Sequence, residues 1–130
     1  MDADDITRWF DDYLDAFAAC ARGDADSRSL LDWYGVPLLV TTDDGVLALT
    51  AADDVIAVLR RQVDGLRAAD FGRNEMVDSE LAVLNATSAL HRGTFSRQRN
   101  DGTEIGRVTA TYLVTDGESG RRISVLAVHG

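Results

Sequence analysis

The sequence predicts one α+β domain in which helices cover a single face of a strongly curved antiparallel sheet. Two observations carry this. From Val77 onward the chain reads as four long runs rich in Val, Thr, Leu and aromatics, at 77–85, 87–99, 106–116 and 121–129. Turn chemistry such as Asn100-Asp101-Gly102 and Asp116-Gly117-Glu118-Ser119-Gly120 separates them. Before Val77, apolar residues recur mostly at the helical period instead. At 130 residues the chain suits one hydrophobic core and is too short for two, so 1–130 is taken as a single domain.

The predicted order is α-α-β-β-α-β-β-β-β, with three helices packed on the sheet. Asp4 or Asp5 is expected to cap a first helix ending near Arg22, where Gly23 stops it. Ile6, Phe10, Tyr13, Leu14, Phe17, Cys20 and Ala21 fall on one arc of that helix. A short second helix is expected over 28–34, then a hairpin of strands 38–42 and 46–49 around Asp43-Asp44-Gly45, with Pro37 at its entry or on an edge. Thr50-Ala51-Ala52-Asp53 has the form of a capping box for a third helix over 51–68.

Alternation sets the faces of the four long strands. Val77, Ser79, Leu81 and Val83 are assigned inward, as are Ala89, His91, Gly93 and Phe95. Val108, Ala110, Tyr112 and Val114 follow, then Ile123, Val125, Ala127 and His129. The other face keeps Leu113, Leu126 and Val128 among Thr and Arg residues, a half-apolar surface that predicts a homodimer, with Leu126 in its interface.

Net charge is −9, and it is unevenly placed: residues 1–54 hold 13 acidic residues and three arginines, whereas 55–130 hold nine and ten. Such a surface does not attract nucleic acid or an anionic membrane. The acidic start, Met1-Asp2-Ala3-Asp4-Asp5, is unlike a secretion signal, so a cytoplasmic address is expected. Cys20 is the single cysteine and is expected in the core, which excludes an internal disulfide. All basic residues are arginine, so Schiff-base chemistry on a lysine is excluded.

No segment carries a complete catalytic motif. His91 and His129 are the two histidines, both assigned inward, and a histidine can act as a general base. His129 stands next to the chain end, and His91 also reads as a satisfied core or pocket-lining residue. With no inward carboxylate beside them, no metal site is expected. Asp78 and Glu80 share a strand face, assigned to solvent. Trp9, Trp33, Phe95 and Tyr112 offer aromatic surface that either lines a cavity or fills it. No glycine-rich stretch has a phosphate-loop pattern, and no cofactor is implied.

The order of elements, together with Tyr13-Leu14-Asp15-Ala16-Phe17, Gly23-Asp24, Ser88-Ala89-Leu90-His91-Arg92-Gly93 and Ala110-Thr111-Tyr112-Leu113-Val114, resembles the nuclear transport factor 2-like (NTF2-like) superfamily, most closely its SnoaL-like branch. The resemblance implies a cone, the sheet wrapped round the helices, with a cavity at the wide end and dimerisation through the outer sheet face. Steroid isomerase relatives place an oxyanion-stabilising tyrosine in a segment like that of Tyr13, whereas Val36-Pro37-Leu38-Leu39-Val40 lacks the carboxylate base such an enzyme needs. The expected pocket residues are Tyr13, Phe17, Trp33, His91, Phe95 and Tyr112. Three functions stay open: binding of a small apolar organic ligand, an isomerase, cyclase or hydrolase using Tyr13 and His91, and a non-catalytic dimeric module with a filled cavity.

Overall fold

Asp2, rather than Asp4 or Asp5, caps the first helix in the computed structural model, which describes residues 1–130. Its carboxylate accepts from the Asp5 amide at 3.0 Å, leaving Asp4 and Asp5 inside the first turn, at the positive end of the helix dipole. Helix α1 spans Ala3–Arg22 and ends at Gly23, whose φ of 86° is the left-handed conformation a helix stop requires. Ile6, Phe10, Tyr13, Phe17, Cys20 and Ala21 form its buried stripe, so Cys20 is a core residue as expected.

The expected second helix is a single stretch of 3-10 turn, Ser27–Asp32, capped by Asp26. The strand after it, β1 (Tyr34–Thr42), begins at Tyr34 rather than Leu38. Tyr34 is 2% exposed, and burial of its ring in the core draws it out of the turn and into the sheet. Pro37, which has no N–H to give, falls where the β1 ladder shifts register between Tyr34 and Leu39. After β2 (Gly45–Leu49), helix α2 (Ala52–Ala68) starts without the Thr50 box, since its cap residue is Ala51 and no side chain bonds there.

Four strands follow: β3 (Phe71–Asn85), β4 (Ser88–Arg99), β5 (Glu104–Gly117) and β6 (Gly120–Val128). β3 starts at Phe71, ahead of Val77, because Gly72 lets the chain pass tightly against Asn100. A Cβ at Gly72 would lie 3.0 Å from the Asn100 backbone. The sheet order is β2-β1-β6-β5-β4-β3. Every neighbour is antiparallel except β1 and β6, which are parallel and joined through all the intervening chain. No helix is long and apolar enough to cross a membrane.

Bulges bend this sheet around the helices and reset its faces. One lies at Val77, between the pairs Met76–Phe95 and Asp78–Thr94; Met76 packs against the core and Val77 is exposed, against its inward assignment. Beyond it Ser79, Leu81 and Val83 pair with Gly93, His91 and Ala89, the expected phase. Only Leu81 of the three is half-buried; Ser79 and Val83, assigned inward, are exposed, because this end of β3 is not covered. A second lies at Ser124, because Val114 pairs with Ile123 while Leu113 pairs with Val125. The extra residue inverts the rest of β6. Val125, Ala127 and His129, expected inward, therefore pair with outward residues or lie exposed, while Leu126 and Val128 turn inward onto Tyr112 and Ala110.

The inversion is testable by urea denaturation. Leu126→Ala should cost about 2–4 kcal/mol, as for a core leucine, whereas Val125→Thr should change the stability of one protomer by less than about 1 kcal/mol.

Candidate functional site

Helix α1 lies across the concave face of the sheet, and a cavity of about 20 Å³ remains between them. That is room for about one or two waters. Tyr13, Leu14 and Phe17 of α1 form one wall, and Gln62 of α2 closes a side. Tyr34, Asn74, Phe95, Arg97, Ala110, Tyr112 and Leu126 come from five strands, with Val108 and Val128 beside them. Gly93 shapes the floor: a Cβ there would meet the Phe95 ring at 2.7 Å, so its absence lets that ring lie back over the strand.

All three tyrosines of the chain meet here. The hydroxyls of Tyr13 and Tyr34 are hydrogen-bonded to each other. Burial raises the pKa of all three phenols. Tyr13 is pushed well above the usual phenol range by burial and then by Tyr34 and Tyr112. Tyr34 is raised by burial, with Arg97 opposing. Tyr112 is pushed up to about 12 by burial, with Arg97 and Tyr13 opposing.

Arg97 is the one ionic group of the cavity wall. Its Nε is buried without a hydrogen-bond partner, and its guanidinium carbon lies 5.8 Å from the Phe17 ring centroid, a cation–π contact. Burial lowers its pKa, and the three tyrosines raise it. Of the 13 arginines eight make ion pairs, and Arg97 is among the five that make none. Asn74 is its partner across the strand ladder, and Asn74 Oδ1 is also buried and unpaired. Folded proteins seldom leave such groups unmatched. The cavity thus joins an apolar wall to a fixed cation, three neutral phenols and an amide.

Of the expected pocket residues, the structure brings Tyr13, Phe17, Phe95 and Tyr112 together here. Trp33 lies outside, against Trp9 and Tyr13 at 5.3 and 6.3 Å between ring centroids. His91 is also outside the lining. It is buried, stacked on Phe10 at 3.8 Å, with Nδ1 unpaired, and burial lowers its pKa while Asp11 opposes. His129 bonds Thr111 Oγ1 from the outer face at 2.7 Å. Asp78 and Glu80 are exposed and share Arg92, the solvated role expected of them. Tyr34, Gln62, Asn74 and Arg97 were not anticipated. Continuing the β4 alternation past Phe95 would have found Arg97.

A wider groove of about 720 Å³ runs between β1 and the β5–β6 turn. It is open to solvent, and none of the buried unpaired polar atoms lies in it. Arg97 Nε and Asn74 Oδ1 belong instead to the lining of the inner cavity, which makes that cavity the candidate for oriented binding.

A family model described as an NTF2-like protein (DUF6841) matches residues 3–130. No curated protein matches the chain. Among solved structures, an NTF-2 like protein of unknown function from Shewanella oneidensis MR-1 is 18% identical with a TM-score of 0.71, and all of both chains is covered. An NTF2-like protein with a cystatin-like fold from Novosphingobium aromaticivorans is 11% identical with a TM-score of 0.72, covering 98% of this chain and 80% of that one. The association domain of C. elegans CaMKII is 12% identical with a TM-score of 0.68, covering 96% and 92%. At these identities the likeness is one of fold.

The titrations give a pH profile. As pH rises past 10 the unfolded chain loses phenol protons before the folded one, so stability falls; Tyr112 alone contributes on the order of 3 kcal/mol to that loss. As pH falls below 6.5 the unfolded chain gains the His91 proton first, and stability falls again. Denaturation across pH should show both limbs, with His91→Leu flattening the acid one. Phenolate absorbance should stay absent at pH 10.5 until the protein unfolds.

Proposed function

The chain belongs to the NTF2-like protein family DUF6841, and on that footing we propose that it binds a small, largely apolar organic molecule between α1 and the concave sheet. The observation that carries this reading is the pair of buried, unmatched polar atoms on one cavity wall, Arg97 Nε and Asn74 Oδ1. A core that merely packs gains nothing from turning the Nε edge of a half-buried arginine inward without a partner, because burying an unpaired polar group is unfavourable. A site does gain, since preset polar groups orient a guest inside an apolar wall.

The size of the cavity favours a second reading, a non-catalytic module whose interior its own aromatics fill. An enzyme built on Tyr13 and His91 has less support, because His91 lies outside the cavity lining.

The protein acts, in this proposal, as a homodimer through the outer sheet face. Leu90, Leu113, Val125 and Leu39 stand opposite one another across β4, β5, β6 and β1. This gives an apolar row over four strands, half-buried or exposed in one protomer. That a structural neighbour is an association domain is consistent with a self-associating fold.

Native mass spectrometry of gently purified protein tests both parts. A dimer with a retained organic mass is expected, and Arg97→Met should lose that mass while raising the melting temperature of ligand-free protein. An empty protein whose Arg97→Met variant is less stable would favour the filled core. Val125→Arg should give a folded monomer by light scattering, and a variant that stays dimeric would contradict the chosen face.

A further inference from the structure

Resting on the pocket reading above, we propose that the ligand is an organic monocarboxylate, its head held by the Arg97 guanidinium and the tyrosine hydroxyls and its short apolar tail directed to the cavity mouth. The first argument is charge. The chain has 22 acidic residues, yet none lines this cavity, so the one ionic group of the wall, Arg97, has no internal counterion. Arg97 is half-buried and its Nε edge is buried without a partner; a neutral guest would leave that edge uncompensated, whereas a single anionic head compensates it. With one arginine, a monoanion fits the charge better than a phosphate dianion.

Donor geometry gives the second argument. Arg97 Nε is a buried donor with nothing to donate to. Within the Tyr13–Tyr34 pair one hydroxyl donates to the other, and Tyr13 also interacts with the Tyr112 hydroxyl, so the chain of three phenols ends in one O–H available to a guest. Phenols are protonated at neutral pH in any environment, and burial moves these three further from ionisation, so they serve as donors. Asn74 stands across from Arg97 in the ladder, and its amide, turned over, adds an N–H without changing shape. Charge-assisted bonds from a planar guanidinium to a planar carboxylate are the strong kind.

Size gives the third. A room of about 20 Å³ takes a carboxylate head but not a whole drug-sized molecule. The tail has one way to go. Leu14, Val108 and Val128 are the half-buried apolar residues of the lining, and they mark the mouth.

Calorimetric titration with phenylacetate and with its neutral isostere phenylacetamide tests the inference. The carboxylate should bind at least about tenfold more tightly, the effect of one charge-assisted bond. Arg97→Gln, checked for folding by circular dichroism, should bring the ratio near one, and Arg97→Lys should keep part of it. Equal binding of both probes, or a ratio that survives Arg97→Gln, overturns the carboxylate inference while leaving the cavity reading intact. Leu14→Ala widens the mouth and separates the two failures. If neither probe binds even to that variant, the cavity reading falls, and the carboxylate inference with it.

Discussion

A guanidinium cannot shed its charge by losing a proton at any ordinary pH, so burying part of one constrains everything around it. Arg97 sits on the concave face among three phenols and a phenylalanine ring, with no acid in the cavity wall. The phenols answer it in part. Its field lowers the pKa of Tyr34 and Tyr112 against a much larger upward push from burial. Helix α1 answers as well, by placing Tyr13 and Phe17 four residues apart on one face, over the same point.

What holds that helix in place is the bend of the sheet. A flat six-stranded sheet has no inside; the bulges at Val77 and Ser124 give this one a concave face deep enough for α1. The Ser124 bulge also decides which residues serve the interior. Leu126 and Val128 turn in to finish the cavity wall, and Val125 turns out to join the apolar row on the convex face. One inserted residue thus couples the shape of the site to the surface proposed for dimerisation.

The class of fold was legible in the sequence because long β-rich runs and an amphipathic helix are local signals, and β4 and β5 alternate without interruption from Ala89 to Phe95 and from Ala110 to Val114. The phase of β6 was not, because nothing local to Arg121-Arg122-Ile123-Ser124 announces an extra residue; the bulge exists only relative to β5. Tyr34 was hidden for a similar reason. Its neighbours read as a helix end, and burial against α1 makes it a strand residue. Arg97 lay on a strand whose inward face had been read correctly as far as Phe95. A charged residue continuing an apolar face is easily taken as its end, and here it is the centre of the site. His91 was read inward correctly, yet the face has two ends, and only contact with Phe10 places it away from the cavity.

The central claim is that the Nε edge of the half-buried Arg97 is turned inward for a guest rather than for the core. A crystal structure of the protein as purified, at a resolution that shows ordered water and small molecules, tests it most directly. The account predicts density in the cavity within hydrogen-bonding distance of Arg97 Nε and a tyrosine hydroxyl, continuing toward Leu14 and Val128. An empty cavity with the Arg97 guanidinium turned out to solvent, or paired with a carboxylate of its own chain, would contradict it.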